Sequence, residues 1–296
     1  MNKIIYSAMI SGYDEIHPIK AAAGWECIMF TDMPISDLPV GTGWQFRPAC
    51  LSKGVNNILV NRWYKMHPHV LFPDNQESIY IDANIQINSF EIIERQILLL
   101  NADDIKVAIT DHLFRDCIYK EAVAVVEHKK DTQKNVDVTM SLLKRSGYPE
   151  SHGLYENNFI YRQHSDATVV NLMRQWWHFI NQYSSRDQLS LCYLIWLNGV
   201  NSECFFGQGV SVRNNQDITF YPDHIVRPIE MNADKPLATH EKPLATHEKP
   251  LATNEKTPAV NKNILSPRLR LCLFLCKLLP GRKIRIKLRK FINDEN

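Results

Sequence analysis

The chain has 296 residues, carries a formal net charge of +2 and is 45% hydrophobic. This length predicts one ordinary domain with an appendage, or two small domains, and the near-neutral charge argues against nucleic acid as a partner. The seven cysteines include no CxxC pair, so we expect free thiols in a reducing compartment rather than a disulfide framework or a zinc cluster.

The first three quarters of the chain alternate short apolar runs with helical patterns. Strands are predicted at residues 3–9, 25–30, 44–46, 77–81 and 105–110, and a loop at 154–161 leads into another strand. Helices are predicted at residues 56–69, 114–128, 131–146, 166–183 and 187–198. This alternation predicts an α/β protein with a mostly parallel central sheet.

A repeat of the sequence KPLATHE starts at Lys235 and recurs, with one change in the last unit, through Glu255. Each unit has a proline at its second position, which breaks a helix, and only one large apolar residue, so the repeats cannot bury a core. Residues 232–263 are therefore predicted to be a flexible linker that follows a domain at residues 1–231.

Residues 264–296 alternate basic and apolar side chains, and Pro280-Gly281 divides them into two predicted short helices. This pattern favours an amphipathic tail on an anionic membrane; the alternatives are a helix hairpin packed on the domain and an RNA-binding tail. The N-terminus shows no signal peptide, and no uncharged run is long enough to span a bilayer. The expected location is the cytoplasm, peripheral on the inner face of the cytoplasmic membrane.

Acidic residues follow several of the predicted strands. Asp32, Asp82 and Asp111 each lie at or just past the end of an apolar run, where α/β sheets bind ligands. Asp82 and Asn84 offer a carboxylate and an amide oxygen, which suit Mg²⁺ or Mn²⁺ when substrate phosphates complete the shell. The alternative is a strand followed by an Asx turn, because both residue types favour turns.

Arg62 and Lys65 lie three residues apart on one face of the predicted helix 56–69 and could neutralise phosphates. The alternative is a solvated helix face. Asp187 starts the predicted helix 187–198, where it is either an N-cap or a residue at the mouth of the helix that faces the substrate.

Three further residues are weaker candidates. Arg115 could bind a carboxylate or phosphate, or form a surface ion pair, and His112 precedes it by three residues. His224 is either a metal ligand or a plain loop histidine. The chain has no GxSxG, P-loop or GxGxxG motif, which argues against a hydrolase, a kinase and a dehydrogenase.

Taken in order, six segments resemble the TOD/MUCI-type glycosyltransferase-like domain, over about residues 3 to 228. This family includes plant pectin galacturonosyltransferases and many bacterial proteins encoded with surface-polysaccharide genes. The matching segments are Phe30-Thr31-Asp32, residues 61–69, Tyr80-Ile81-Asp82-Ala83-Asn84, residues 112–122, residues 153–158 and Arg186-Asp187-Gln188-Leu189-Ser190.

The resemblance implies a GT-A-like, Rossmann-type fold, a nucleotide-sugar donor and transfer assisted by Mn²⁺ or Mg²⁺. Asp82 and Asn84 then match the metal motif, with Asn where many such enzymes have a second Asp, and His224 could complete the shell. The pair Asp187-Gln188 resembles a pair that lies beside the donor sugar. The residues expected to bind the nucleotide-sugar are Asp32, Arg62, Lys65, Asp82, His112 and Arg115. The residues expected to be catalytic are Asp187, Gln188 and Glu156, with Glu156 near the acceptor.

We therefore expect a retaining glycosyltransferase that moves a sugar from a UDP-sugar to a lipopolysaccharide or capsule glycan, or to a glycolipid. Two alternatives remain open. One is a non-catalytic scaffold that binds glycans or nucleotide-sugars in a polysaccharide assembly complex, and the other is a hydrolase acting on a phosphodiester or lipid.

Overall fold

The computed structural model describes residues 3–20, 22–50 and 56–223. His224, the predicted linker and the predicted basic tail lie outside the described residues, so the interpretations attached to them stay predictions. In the described part, no helix combines the length and the apolar character needed to cross a membrane.

The centre of the molecule is a seven-stranded sheet, beside which two further strands form a small antiparallel pair. The nine strands are β1 (Lys3–Met9), β2 (Trp25–Thr31), β3 (Gln45–Pro48), β4 (Ser78–Ile81), β5 (Ile85–Ile87), β6 (Val107–Asp111), β7 (Tyr155–Arg162), β8 (Ser202–Cys204) and β9 (Ile218–Phe220). The large sheet has the order β3-β2-β1-β4-β7-β6-β8, and β5 pairs with β9.

Every strand of the large sheet runs parallel to the others except β7, which is antiparallel to both neighbours. The predicted α/β fold with a mostly parallel sheet is therefore confirmed. Apolar clusters cover both faces of this sheet. Coverage on both faces explains why the central strands read as continuous apolar runs rather than as alternating patterns.

Seven helices connect the strands within the described part of the chain. They are α1 (Asn57–Met66), α2 (Pro68–Leu71), α3 (Phe90–Ala102), α4 (Ile118–Glu127), α5 (Gln133–Arg145), α6 (Ala167–Gln182) and α7 (Leu191–Asn198). The predicted helix 56–69 breaks at His67, because a residue before proline disfavours the helical backbone, and Pro68 then starts α2. Helix α3 was missed.

The direction of winding reverses beside β1. The chain builds β2 and β3 on one side of β1 and then places β4 on the other side. Doubly wound sheets bind ligands at such a reversal, outside the carboxyl ends of the strands. Because β7 is antiparallel, its first residues reach this same edge and add Glu156, Asn157 and Asn158 to it.

Gly43 makes a close backbone contact with the loop that follows β1. Its φ is +81°, and a Cβ there would lie 1.9 Å from the carbonyl oxygen of Ile19. We expect Gly43→Ala to lower the free energy of unfolding by clearly more than the roughly 1–2 kcal/mol that a left-handed backbone costs an L-residue. Gly41 has a φ of +72° and open space at its Cβ, so Gly41→Ala is the matched control. Equal losses in urea denaturation would contradict the steric argument.

Candidate active site

Asp82 lies directly after β4, at the edge where the winding reverses. Its backbone N–H donates to the carbonyl of Asn158 at 2.9 Å, and Ile85 N–H donates to the Asp82 carbonyl at 3.1 Å. The backbone is thus a strand followed by a turn, and the bond that closes this turn joins main-chain groups, unlike the side-chain bond of an Asx turn. The Asp82 carboxylate leaves the turn and approaches Lys65, with 3.3 Å between Oδ1 and Nζ.

Asn84 is buried and donates from Nδ2 to the carbonyl of Tyr221 at 2.9 Å. Because a carbonyl oxygen can only accept, this bond assigns the amide nitrogen to Tyr221 and leaves Oδ1 as the remaining acceptor. The pairing of β5 with β9 brings Tyr221 to this position.

The donors at this turn fit a divalent cation in a limited way. In residues 3–20, 22–50 and 56–223, no group of three or more His, Cys, Asp or Glu side chains could hold a metal ion. Asp82 and Asn84 supply two hard oxygens, and Mg²⁺ is commonly held by one or two such groups plus substrate phosphates. A metal here would depend on the substrate for most of its shell and would compete with Lys65 for Asp82.

A buried charge cluster lies next to Asp82. Asp187 contacts Lys65 through Oδ2 at 2.8 Å and Arg62 through Oδ1 at 3.2 Å. The side chains of Lys65, Asp187 and Arg62 are only 2%, 4% and 14% exposed. The solvated-face alternative for Arg62 and Lys65 is therefore wrong: helix α1 turns both cations inward, onto a carboxylate that lies 122 residues away from Lys65 in sequence.

Asp187 and Arg62 stay charged over the physiological pH range. Burial alone would raise the pKa of Asp187, but Arg62, Lys65 and Arg186 outweigh burial and hold this pKa well below the ordinary carboxyl range. Burial likewise acts to lower the pKa of Arg62, and Asp187 and Asp82 reverse that effect. A carboxylate that is held ionised so firmly is a poor proton acceptor, so Asp187 is suited to electrostatic and positioning roles.

The N-cap interpretation of Asp187 is wrong. Asp187 is the first residue of a 3₁₀ turn, Asp187–Leu189, and its side chain caps neither that turn nor α7. The two oxygens of the Asp187 carboxylate instead contact Arg62 and Lys65 of α1. The main chain is fixed separately, because Asn157 Nδ2 donates to the Asp187 carbonyl at 3.0 Å and Ser190 Oγ donates to it at 3.1 Å.

Arg162 binds the main chain of Lys65, and the sequence did not point to this residue. Its Nη1 donates to the Lys65 carbonyl at 2.6 Å and its Nη2 to the Tyr6 hydroxyl at 2.5 Å. The side chain is fully buried, with no carboxylate in ion-pair contact among the described residues. Its charge instead lies at the C-terminus of α1, where the helix dipole favours a cation.

We expect Arg162→Lys to lower the free energy of unfolding by about 1–3 kcal/mol, because one ammonium group cannot replace the planar fork that joins Lys65 and Tyr6. Arg174→Lys, on the exposed face of α6, is the matched control and should change stability by less than about 0.5 kcal/mol. Urea denaturation of both variants measures the difference. Equal stabilities would mean that Arg162 does not anchor the end of α1.

Glu156 and Gln188 form a second cluster at the same edge. Glu156 Oε1 contacts Arg213 Nε at 2.9 Å, and Oε2 accepts from Ser211 Oγ at 2.8 Å and Asn158 Nδ2 at 3.0 Å. Both carboxylate oxygens of Glu156 are thus engaged by protein groups. Gln188 Oε1 accepts from Arg186 Nη2 at 3.0 Å. Arg213 and Ser211 follow β8 in an irregular segment, where no periodic pattern pointed to them.

The other predicted residues, His112, Arg115 and Asp32, lie at separate positions along the same edge of the sheet. Glu121 accepts from Arg115 Nε at 2.5 Å and lies 3.6 Å from His112 Nε2. Burial lowers the pKa of His112, although Glu121 opposes that effect. Asp32 Oδ1 accepts from Ser11 N–H at 2.8 Å and joins the loops after β1 and β2. The nucleotide-binding role of these three predicted residues stays a prediction.

Asp32, Asp82 and Asp111 share one edge because β2, β4 and β6 are parallel. One strand lies between β2 and β4 and one between β4 and β6, so at about 4.8 Å per strand neighbouring positions lie roughly 10 Å apart. Both oxygens of the Asp111 carboxylate are engaged by nearby groups: one accepts from Cys204 Sγ and the other from Gly209 N–H, each at 2.7 Å. The predicted single cleft is one edge with several separate positions, and the Arg62–Asp187–Lys65 cluster lies at the position of Asp82.

Comparisons with known proteins place this geometry in context. One solved structure of similar shape is the galactosyltransferase LgtC in complex with donor and acceptor sugar analogues, with 10% identity, a TM-score of 0.36 and coverage of 69% of this chain and 74% of that one. Another is mouse xyloside xylosyltransferase 1 without ligand, with 9% identity, a TM-score of 0.35 and coverage of 66% and 79%. Such low similarity carries no functional argument. No curated protein matches.

A family model provides the stronger result. The model described as TOD1/MUCI70, glycosyltransferase-like domain, matches residues 58–206, which is half of the 296-residue chain. The matched range contains Arg62, Lys65, Asp82 and Asp187, and therefore the whole buried charge cluster. The chain belongs to the TOD1/MUCI70 glycosyltransferase-like domain family.

Proposed function

We propose that this protein is a glycosyltransferase that moves a sugar from a nucleotide-sugar, specifically a UDP-sugar, to a glycan acceptor. The observation that carries the proposal is the Arg62–Asp187–Lys65–Asp82 cluster at the edge where the sheet reverses its winding. Membership of a glycosyltransferase-like family supports it.

Departure of a nucleoside diphosphate leaves negative charge that must be stabilised as it develops. Lys65 and Arg62 supply fixed positive charge next to Asp82, in surroundings that exclude most water. Asp82 and Asn84 would hold Mn²⁺ or Mg²⁺, which when bound neutralises diphosphate oxygens as a Lewis acid. The cations of α1 need no rearrangement for this task, because Asp187 and Arg162 already hold them in place.

Asp187 and Gln188 complete the proposal on the donor side. Asp187 stays ionised and positions Lys65 and Arg62, while Gln188 links this turn to the strand that carries Glu156, by an Nε2 bond of 3.4 Å to its carbonyl. A retaining outcome and a lipopolysaccharide or capsule acceptor belong to the proposal as well, and product stereochemistry together with an acceptor screen tests both.

A panel of UDP-sugars, each with and without Mn²⁺, tests the central claim. A ligand that binds only the native state raises its stability by about 2.7 kcal/mol at a concentration of 100 times Kd, so the correct donor should raise Tm. UDP release should then follow when acceptor glycans are added. Binding without release on any acceptor would indicate a scaffold, and release to water alone would indicate a hydrolase. Failure of every nucleotide-sugar to bind would contradict the proposal.

The location on the inner face of the cytoplasmic membrane is part of the proposal and rests on the basic, apolar composition of residues 264–296. Each cation near an anionic surface contributes on the order of 1 kcal/mol. Deleting residues 266–296 should move the protein from sedimented anionic vesicles to the supernatant. A shortened protein that still sediments would exclude the tail as the anchor.

A further inference from the structure

Most of the cations near the sheet edge already have a carboxylate partner. Lys65 and Arg62 pair with Asp187. Arg115 pairs with Glu121 and Arg213 with Glu156. Each of these four cations therefore has a carboxylate partner within the protein.

Arg186 and Lys130 differ from that pattern. Within the described part of the chain, no carboxylate lies within ion-pair distance of either side chain. Among residues 3–20, 22–50 and 56–223, the guanidinium of Arg186 bonds only to the neutral amide of Gln188, and its Nε is buried with no acceptor. Lys130 is exposed, so a ligand can reach it from solvent.

Hydrogen bonds bring the loops of these two cations together. Ser184 Oγ donates to Asp131 Oδ2 at 2.5 Å, and Arg186 N–H donates to the same Ser184 Oγ at 3.2 Å. Lys130, next to Asp131, therefore lies near Arg186, close enough for the two charges to interact. Partial desolvation lowers the pKa of Lys130, and the charge of Arg186 lowers it further. The carboxylates of Asp187 and Glu121 act on these cations only from beyond ion-pair distance, so within the described residues the donors of Arg186 and Lys130 stay open to an anion.

We propose that Arg186 and Lys130 bind a phosphate group of the substrate. A guanidinium offers two parallel donors to phosphate oxygens, and a nearby ammonium adds a point charge. The group belongs either to the diphosphate of the donor, since Arg186 directly precedes Asp187, or to a phosphorylated acceptor. This assignment rests on the proposed function for the identity of the substrate, but the binding itself does not require sugar transfer.

Calorimetric titration of the full chain with inorganic phosphate, at constant ionic strength, tests the site. Arg186→Gln should weaken phosphate binding at least about tenfold, and Lys130→Gln about threefold or more. Arg145→Gln makes the same charge change on an exposed helix end and should leave affinity unchanged. Lys130 is exposed, so its variant decides the question even if Arg186→Gln does not fold.

Repeating the titration with saturating UDP separates the two sources of phosphate. Competition between phosphate and UDP assigns the site to the donor diphosphate, and simultaneous binding assigns it to a phosphorylated acceptor. Both results support the site. Wild-type protein that binds no phosphate, or variants of Arg186 and Lys130 that bind it as Arg145→Gln does, would overturn it. These results are independent of UDP release, so loss of the site and failure of the glycosyltransferase proposal remain distinguishable.

Discussion

Replacing Asp187 with asparagine should abolish sugar transfer and lower the free energy of unfolding by about 3–5 kcal/mol, the usual loss when one partner of a buried ion pair is removed. The variant keeps the shape of the side chain but leaves Arg62 and Lys65 buried without their shared carboxylate. Urea denaturation measures the stability, and UDP release measures the transfer.

The pH dependence of stability provides a second measurement of Asp187→Asn. The pKa of Asp187 in the folded protein is held below its unfolded value, so its ionisation contributes stability that is fully present above the ordinary carboxyl pKa of about 4. That contribution is lost as the pH falls through the folded pKa. The wild type should therefore lose stability more steeply below about pH 4 than the variant does.

Asp104→Asn is a suitable control for Asp187→Asn. The Asp104 carboxylate is 84% exposed and pairs with Lys106 at the surface, where ion pairs contribute little. Asparagine also tolerates the left-handed backbone of this residue, whose φ is +57°. If Asp187→Asn were as stable as this control, the buried cluster would not hold the edge of the sheet together.

Asp82→Asn should reduce transfer strongly but change stability little. We expect transfer to fall by about two to three orders of magnitude, as for loss of one preorganised electrostatic group. The Asp82 side chain is 34% exposed, and Lys65 keeps its contact with Asp187 when Asp82 is changed. We therefore expect stability to fall by less than about 1 kcal/mol. Any Mn²⁺-dependent part of UDP binding should disappear in the same variant.

Asp104→Asn is also the comparison for Asp82→Asn, because it makes the same change at a carboxylate that has no part in the site. Its side chain is 84% exposed, so transfer should stay within a few-fold of the wild type. Full activity of a folded Asp82→Asn protein would show that leaving-group stabilisation does not depend on this carboxylate.

The sheet was predictable from sequence because each central strand is a short apolar run that ends in a polar turn. The edge that carries Asp82 followed from a general rule for parallel sheets, whereas the order of the strands was not predicted. Helix α3 was also accessible, since Ile93, Ile97 and Leu100 recur at helical spacing on its buried face. The break at His67 could have been placed from Pro68 alone.

The partners within the site were not predictable in the same way. Local pattern showed that Arg62 and Lys65 share a helix face, but their burial depends on Asp187, and the position of Asp187 depends on the folding of α6 and α7 around it. Arg162 is read from sequence as one more residue of an apolar strand. Its role appears only when β7 runs antiparallel beside β4 and points the guanidinium at the end of α1.

The bond between Asn84 and the carbonyl of Tyr221 closes a loop of 137 residues. During synthesis from the N-terminus, Asp82 and its turn leave the ribosome long before the residue that fixes Asn84 exists. The edge of the sheet can therefore form early, whereas this part of the site is completed only when the last described strand pairs with β5. A chain cut at residue 206, where the family match ends, would retain every charged residue of the cluster but lack this final closure.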